Sequence, residues 1–308
     1  MKNTNFYQNG SIFLKGLLMG ICDVIPGISG GTIAFITGIY TRLITAIKNF
    51  SPQLAKSVFK YFANPNRENN QSLKENIANL DLSFLIVLGI GIFSAIAAGV
   101  RVLSFLLDKY LVYTISFFIG LILTSSKIIY DHIETHRMQD VFFGFLGILL
   151  GISLSLAIPL KITPTYAYVF LGGFLAVSAM FLPGISGAFI LLIMGLYEFI
   201  IGIVRDLPSG FTYFLIFLAG ALLGAFTISR FITFLFQKDK NKTLYVLLGL
   251  VVGSLNTPVR KIIQSEEYFT VLRIVLIVAM FALGIISVWF INRVKQERRS
   301  VSGSEKLP

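Results

Sequence analysis

Two nearly identical words, PGISGG from Pro26 and PGISGA from Pro183, are where this sequence offers chemistry. Each lies inside a long apolar stretch. Proline ends helix continuity and glycine permits positive φ. Backbone N–H groups near Gly27, Gly30 and Gly31, and near Gly184 and Gly187, are therefore expected to lack helical partners. A helix that begins just after the break, at Ser29 or Ser186, turns its positive dipole end towards that point. Such N–H groups bind anions, phosphate foremost. Ser29, Ser186 and Thr32 add hydroxyl donors. The competing reading is packing, because small residues let helices approach closely in a membrane. Repetition of the word at both breaks favours a site.

Four charged residues extend this chemistry. Arg101 and Arg230 stand inside apolar segments, where a charge costs ~2.5–3.5 kcal/mol on insertion scales. An arginine fork suits phosphate or carboxylate. Snorkelling is the alternative for Arg101, which is ~10 Å of helix from Asp108. Asp23 precedes the first break and Glu198 follows the second. Both are candidate proton carriers, with ion pairing or interfacial placement as the alternative. The motive is electrical: carrying one negative charge inward against an inside-negative potential costs about 2.3 kcal/mol per 100 mV, and a co-moving proton cancels that for a monoanion. His132 and His136 are spaced i, i+4 without a framed glutamate and read as a surface loop. With one cysteine, Cys22, and no Cys/His cluster, no metal and no other cofactor is expected.

The elements that must position these residues are membrane helices. The 308 residues are 55% hydrophobic and 13% charged, about half the charge of a soluble domain. Ten apolar segments are expected, near 11–25, 28–47, 82–107, 111–130, 140–158, 166–182, 185–204, 211–236, 243–259 and 270–292. They are continuous rather than alternating, so the expected class is an all-α polytopic protein and not a barrel. No removable signal peptide is read at the start. Segments one and two, and six and seven, are parted only by the two words, as in a re-entrant hairpin or broken helix. The net charge of +11 reads as cytoplasmic positives rather than nucleic-acid binding. With the N-terminus inside, 18 Lys and Arg fall inside and 6 outside, which places both termini in the cytoplasm. Residues 48–81 form a polar cytoplasmic insert. Its stretch 54–62 is either an amphipathic helix on the inner surface or a solvated linker. Residues 293–308 read as a basic, disordered cytoplasmic tail.

The chain also repeats itself. Pro26–Tyr40 and Pro183–Tyr197, 157 positions apart, agree at nine of fifteen positions. Beyond the insert the offset becomes 129, pairing Gly91 with Gly220, Arg101 with Arg230, Phe105 with Phe234, Gly120 with Gly249 and Ser125 with Ser254. Repeat one covers 11–158 and repeat two 166–292, within a single membrane domain. Each holds five segments, and an odd number inverts the second repeat. Inverted repeats with broken helices point to an alternating-access transporter.

The stretches GICDVIPGISGGTIAFITGIY and AMFLPGISGAFILLIMGLYE closely resemble the bacterial polyprenyl-phosphate transporter family, of PopT type, formerly a domain of unknown function. The resemblance covers most of the chain, including the repeat order and both arginines. It implies return of undecaprenyl phosphate from the outer to the cytoplasmic leaflet of the plasma membrane for envelope synthesis, with the prenyl tail in the bilayer. Polyprenyl pyrophosphate phosphatases carry a related PGxSRSG-type word. Here Ser29 and Ser186 are followed by glycine, and the arginine and second serine are missing, which disfavours an enzyme. A small-anion transporter or channel stays open as an alternative, and a structural scaffold is least consistent with intramembrane arginines.

Overall fold

In the computed structural model, residues 2–24, 29–50, 52–78, 80–95, 100–131, 133–160, 162–265 and 270–304 are described, and some side chains at helix ends, Arg101 among them, lie outside that description. All regular structure among the described residues is helical. The order is α1 (Lys2–Val24), α2 (Gly30–Ile36), α3 (Tyr40–Lys48), α4 (Pro52–Ala63), α5 (Arg67–Ala78), α6 (Leu82–Ser94), α7 (Val100–Asp131), α8 (Met138–Ser155), α9 (Tyr166–Met180), α10 (Gly187–Ile193), α11 (Tyr197–Arg205), α12 (Leu207–Lys238), α13 (Lys240–Ser254), α14 (Asn256–Gln264) and α15 (Val271–Ser304). Among the described residues five helices are long and apolar enough to cross a membrane, or up to eight if each bent pair is one span. Leu272, Val275, Val278 and Ile286 of α15 are exposed, as a lipid-facing helix requires. The chain is a multi-pass helical membrane protein.

The sharpest bends lie not at the two words, which lead into α2 and α10, but farther on, inside the segments expected to run unbroken over 28–47 and 185–204. The pairs α2–α3 and α10–α11 are each bent by 116°. Helices α2 and α10 have seven residues each, and α3 and α11 have nine. The corners are Gly38 at φ 74° and Gly195 at φ 67°, a left-handed conformation that glycine adopts without a Cβ clash. A hydrogen bond from Ile39 N to the Ala34 carbonyl closes one corner, and one from Leu196 N to the Leu191 carbonyl closes the other.

Glycines set the long helices against one another, and their contacts match residue for residue. A Cβ at Gly16 would strike the Leu88 carbonyl and one at Gly91 the Phe13 carbonyl, joining α1 to α6. The equivalents join α9 to α12: Gly173 meets the Phe217 carbonyl and Gly220 the Phe170 carbonyl. Two further pairs cross between the halves. Helix α8 lies on α13 through Gly147 against Val246 and Gly249 against Gly144, and α15 lies on α7 through Gly284 against Phe117 and Gly120 against Phe281. Each half therefore gives its last long helix to the other. Close backbone approach of this kind replaces the hydrophobic driving force that helices lack in lipid.

Two further features depart from the sequence expectation. Helix α7 starts at Val100 and continues through the loop expected between 107 and 111, with a kink at Tyr110; residues 96–99, between α6 and α7, lie outside the described residues. The counterpart of run 82–107 in the second half is α12, one helix of 32 residues. In the insert, the helix expected over 54–62 is present as α4, and a second helix, α5, packs on it. The tail expected to be disordered extends α15 to Ser304, as its run of Arg, Lys, Gln and Glu permits.

Candidate functional site

The first tip begins at Ser29, whose extended backbone (φ −113°, ψ 140°) caps α2. Its Oγ accepts from Gly31 N at 3.1 Å. Gly30 N donates to Asp23 Oδ1 at 2.6 Å. A Cβ at Gly30 would lie 2.5 Å from Asp23 Oδ2, so glycine is what lets the carboxylate close on the tip. Ser29 and Thr32 are both 2% exposed. Gly30 N and Gly31 N, expected to be bare at this tip, thus have partners within the chain, one of them the carboxyl of Asp23.

The second tip is built differently. Pro183 is buried, and Gly184 (φ 87°) lies against α13, where a Cβ would stand 2.6 Å from the Leu250 carbonyl oxygen. Ser186 caps α10 without a side-chain bond to it. Its surroundings include a cavity of about 20 Å³ lined by Ser155, Gly184, Ser186, Ser254 and Thr257 among others, room for about one water. Gly187 packs on the Ala176 carbonyl, 2.6 Å from where a Cβ would be.

The two tips meet. Gly184 N donates to Thr32 Oγ1 at 2.7 Å, so words 157 positions apart share a hydrogen bond. Gly31 lies against the Met180 carbonyl at the end of α9. Tyr40, at the start of α3, donates its hydroxyl to the Phe181 carbonyl at 2.7 Å. Sequence reasoning did not single out Tyr40. The signal was present, because Tyr40 and Tyr197 are the last identities of the aligned words.

The charged candidates are not all brought together. Arg230 is half-buried in α12 and donates to the Phe226 carbonyl of its own helix at 3.1 Å. Its guanidinium carbon lies 3.3 Å from the Phe226 ring centroid, a cation–π contact that holds the fork along α12. Among the described residues it forms no ion pair and no bond to either tip. Glu198 is exposed in the first turn of α11 and does not join Asp23. Pro26, Gly27 and the Arg101 side chain lie outside the described residues. His132 lies outside them too, and His136 bonds Tyr245 Oη at 2.6 Å through Nδ1. No group of three or more His, Cys, Asp or Glu suited to a metal occurs among the described residues.

The chain is 38% identical over 245 residues to a polyprenyl-phosphate transporter of Vibrio cholerae, covering 80% of this chain and 76% of that protein. It is 29% identical over 260 residues to a polyprenyl-phosphate transporter of Staphylococcus aureus, covering 79% and 83%. No solved structure matches. Residues 19–270, which hold both words and both arginines, match the family described as undecaprenyl phosphate translocase-like. The chain therefore belongs to the undecaprenyl phosphate translocase-like family.

Proposed function

We propose that this protein transports a polyprenyl phosphate, undecaprenyl phosphate in particular, from the outer to the cytoplasmic leaflet of the bacterial plasma membrane, and that it is a transporter rather than an enzyme. The observation that carries the reading is the contact between the tips, Thr32 Oγ1 to Gly184 N at 2.7 Å. On this reading one phosphate head group is held by Ser29, Gly30 and Gly31 of the first word together with Gly184, Ser186 and Gly187 of the second. The names of the relatives support the substrate class. The prenyl tail stays in lipid throughout.

Asp23 gives the mechanism its first step. Its carboxylate now accepts the Gly30 N–H that a phosphate oxygen would take. Protonation removes the charge that holds it there, and the N–H is released to the substrate. Proton uptake and phosphate binding are thereby linked, and the proton offsets the electrical cost of moving an anion inward. Arg101 and Arg230 complete the charge on the head group, Arg230 by swinging from the Phe226 carbonyl. Glu198, in the first turn of α11, receives the proton on the far side.

The halves have inverted topology, with both termini cytoplasmic, and exchange access by moving the hairpins. Unequal docking supports this: α3 packs on α12 of the other half, whereas α11 has no comparable packing on α6 among the described residues. The test is leaflet-resolved uptake of undecaprenyl phosphate in proteoliposomes, with and without a pH gradient. Uptake that a gradient accelerates is expected. Release of inorganic phosphate from undecaprenyl pyrophosphate, without translocation, would replace this reading with a phosphatase.

A further inference from the structure

We infer that Tyr40 and Tyr197 are a matched pair of latches, each closing one of two alternative states of the transporter; the inference rests on the alternating-access reading above. In the state seen here the first latch is shut. Tyr40 is 3% exposed, and its hydroxyl donates to the Phe181 carbonyl at 2.7 Å. Its ring packs edge-on against Phe35 at 5.5 Å and lies 6.4 Å from Phe236 of α12. Phe181 is the residue at the C-terminal end of α9. The last carbonyls of a helix have no donor within it, so Tyr40 supplies a bond that α9 cannot supply to itself. One hydroxyl fastens the first hairpin to the second half.

The second latch is open. Tyr197 stands 157 positions later, also as the first residue after a corner glycine and leucine or isoleucine. It is only half-buried, and among the described residues its hydroxyl makes no hydrogen bond. It packs with Val169, Ile200 and Ile203, within its own half. The acceptor that corresponds to Phe181 is Val24, the last residue of α1. Residues 25–28, which follow it, lie outside the described residues. The chain thus carries two donors and two acceptors at equivalent positions, and only one pair is joined.

The long helices around the hairpins do not explain the difference, because their glycine contacts are equivalent in both halves. What differs is which hairpin reaches across. Exchanging the roles breaks Tyr40–Phe181 and makes Tyr197–Val24, with one hydrogen bond lost and one gained. The two states are not equal in every bond. Thr32, which holds Gly184 here, corresponds to Phe189, which has no hydroxyl. The state seen here keeps that additional tie.

The experiment uses the full-length protein in lipid nanodiscs, on a Cys22→Ala background, with spin labels at the exposed positions Thr45 of α3 and Gln237 of α12. The distance between the labels is read with and without undecaprenyl phosphate. Two distance populations are expected. Tyr40→Phe keeps the ring packing and removes one hydrogen bond, so it should raise the longer-distance population about fivefold. Tyr197→Phe should lower it by about the same factor, although that hydroxyl has no partner in the state seen here. A purely structural role for the tyrosines predicts no response to Tyr197→Phe. Two populations that the variants leave unmoved, or move in the same direction, overturn the latch alone. A single distance in every sample overturns alternating access, and the latch with it.

Discussion

The two broken hairpins share a bend, a length and a corner glycine, yet they are housed differently. The first sits in the core shared by the halves, where Tyr40, Leu43 and Ile44 pack with residues of α7, α12 and α13. The second packs with α9 and α12 of its own half through Ile200 and Ile203. The repeated residues set the shape of each hairpin, and the unrepeated ones set where it docks. Arg42 of the first reaches Asp81 at 2.6 Å. Its counterpart Phe199 packs edge-on against Tyr213 at 5.1 Å. Thr32 binds Gly184 N, and its counterpart is Phe189. A duplicated sequence thus produces one fold twice and two environments.

The sharpest way to break the comparison is at the second tip. Gly184→Val forces a β-branched residue into φ 87° and onto the Leu250 carbonyl. It should abolish uptake in proteoliposomes and lower stability by about 2–4 kcal/mol. Near-normal uptake by that variant would mean that the second tip is not where the head group passes. Asp23→Asn keeps an oxygen for Gly30 N but cannot take up a proton. Its transport should lose the response to a pH gradient and slow as the interior is made negative, by up to about 2.3 kcal/mol per 100 mV. An unchanged response would assign proton coupling elsewhere.

Arginine removal measures how evenly the halves share the substrate. Arg101→Ala and Arg230→Ala should each cut uptake about tenfold, the loss of one charge-assisted contact, without preventing insertion. Equal losses would keep the halves equivalent at the head group; a loss in only one variant would extend the hairpin asymmetry to the arginines. The smallest effect belongs to Arg42→Gln, which removes an ion pair with both partners well exposed and should cost less than about 1 kcal/mol. The Arg42 guanidinium bonded to Asp81 holds that carboxyl below the usual carboxylate range. A group with a depressed folded-state value stabilises above its unfolded value and loses that contribution as the pH falls through the depressed one. The difference in melting temperature between Arg42→Gln and the unsubstituted protein should therefore shrink below about pH 4.

The all-helical class was legible from the continuous apolar runs, but the corners at Gly38 and Gly195 were not, since they fall inside segments that read as unbroken over 28–47 and 185–204. The repeat was legible through its first two offsets. The third, 137, which pairs Gly144 with Phe281 and Gly147 with Gly284, emerges only from equivalent contacts. At the site, the words and their serines were legible, but the partners of their N–H groups were not. Asp23 is seven residues before Gly30 and accepts its N–H at 2.6 Å, a pairing the sequence alone does not announce. Arg230 is the opposite case. Its partner Phe226 is four residues upstream on the same helix, a spacing that sequence alone provides.

The exchange of long helices also sets a timetable. Gly120 of α7 is covered by Phe281 of α15, and Gly144 of α8 meets Gly249 of α13. During synthesis α7 and α8 must therefore wait in the bilayer with their glycine faces turned to lipid until the second half is made. Native closure of the first half depends on the last long helix to emerge, so a chain cut short before α15 leaves an early-made surface uncovered, the kind of exposed intermediate from which misassembly starts.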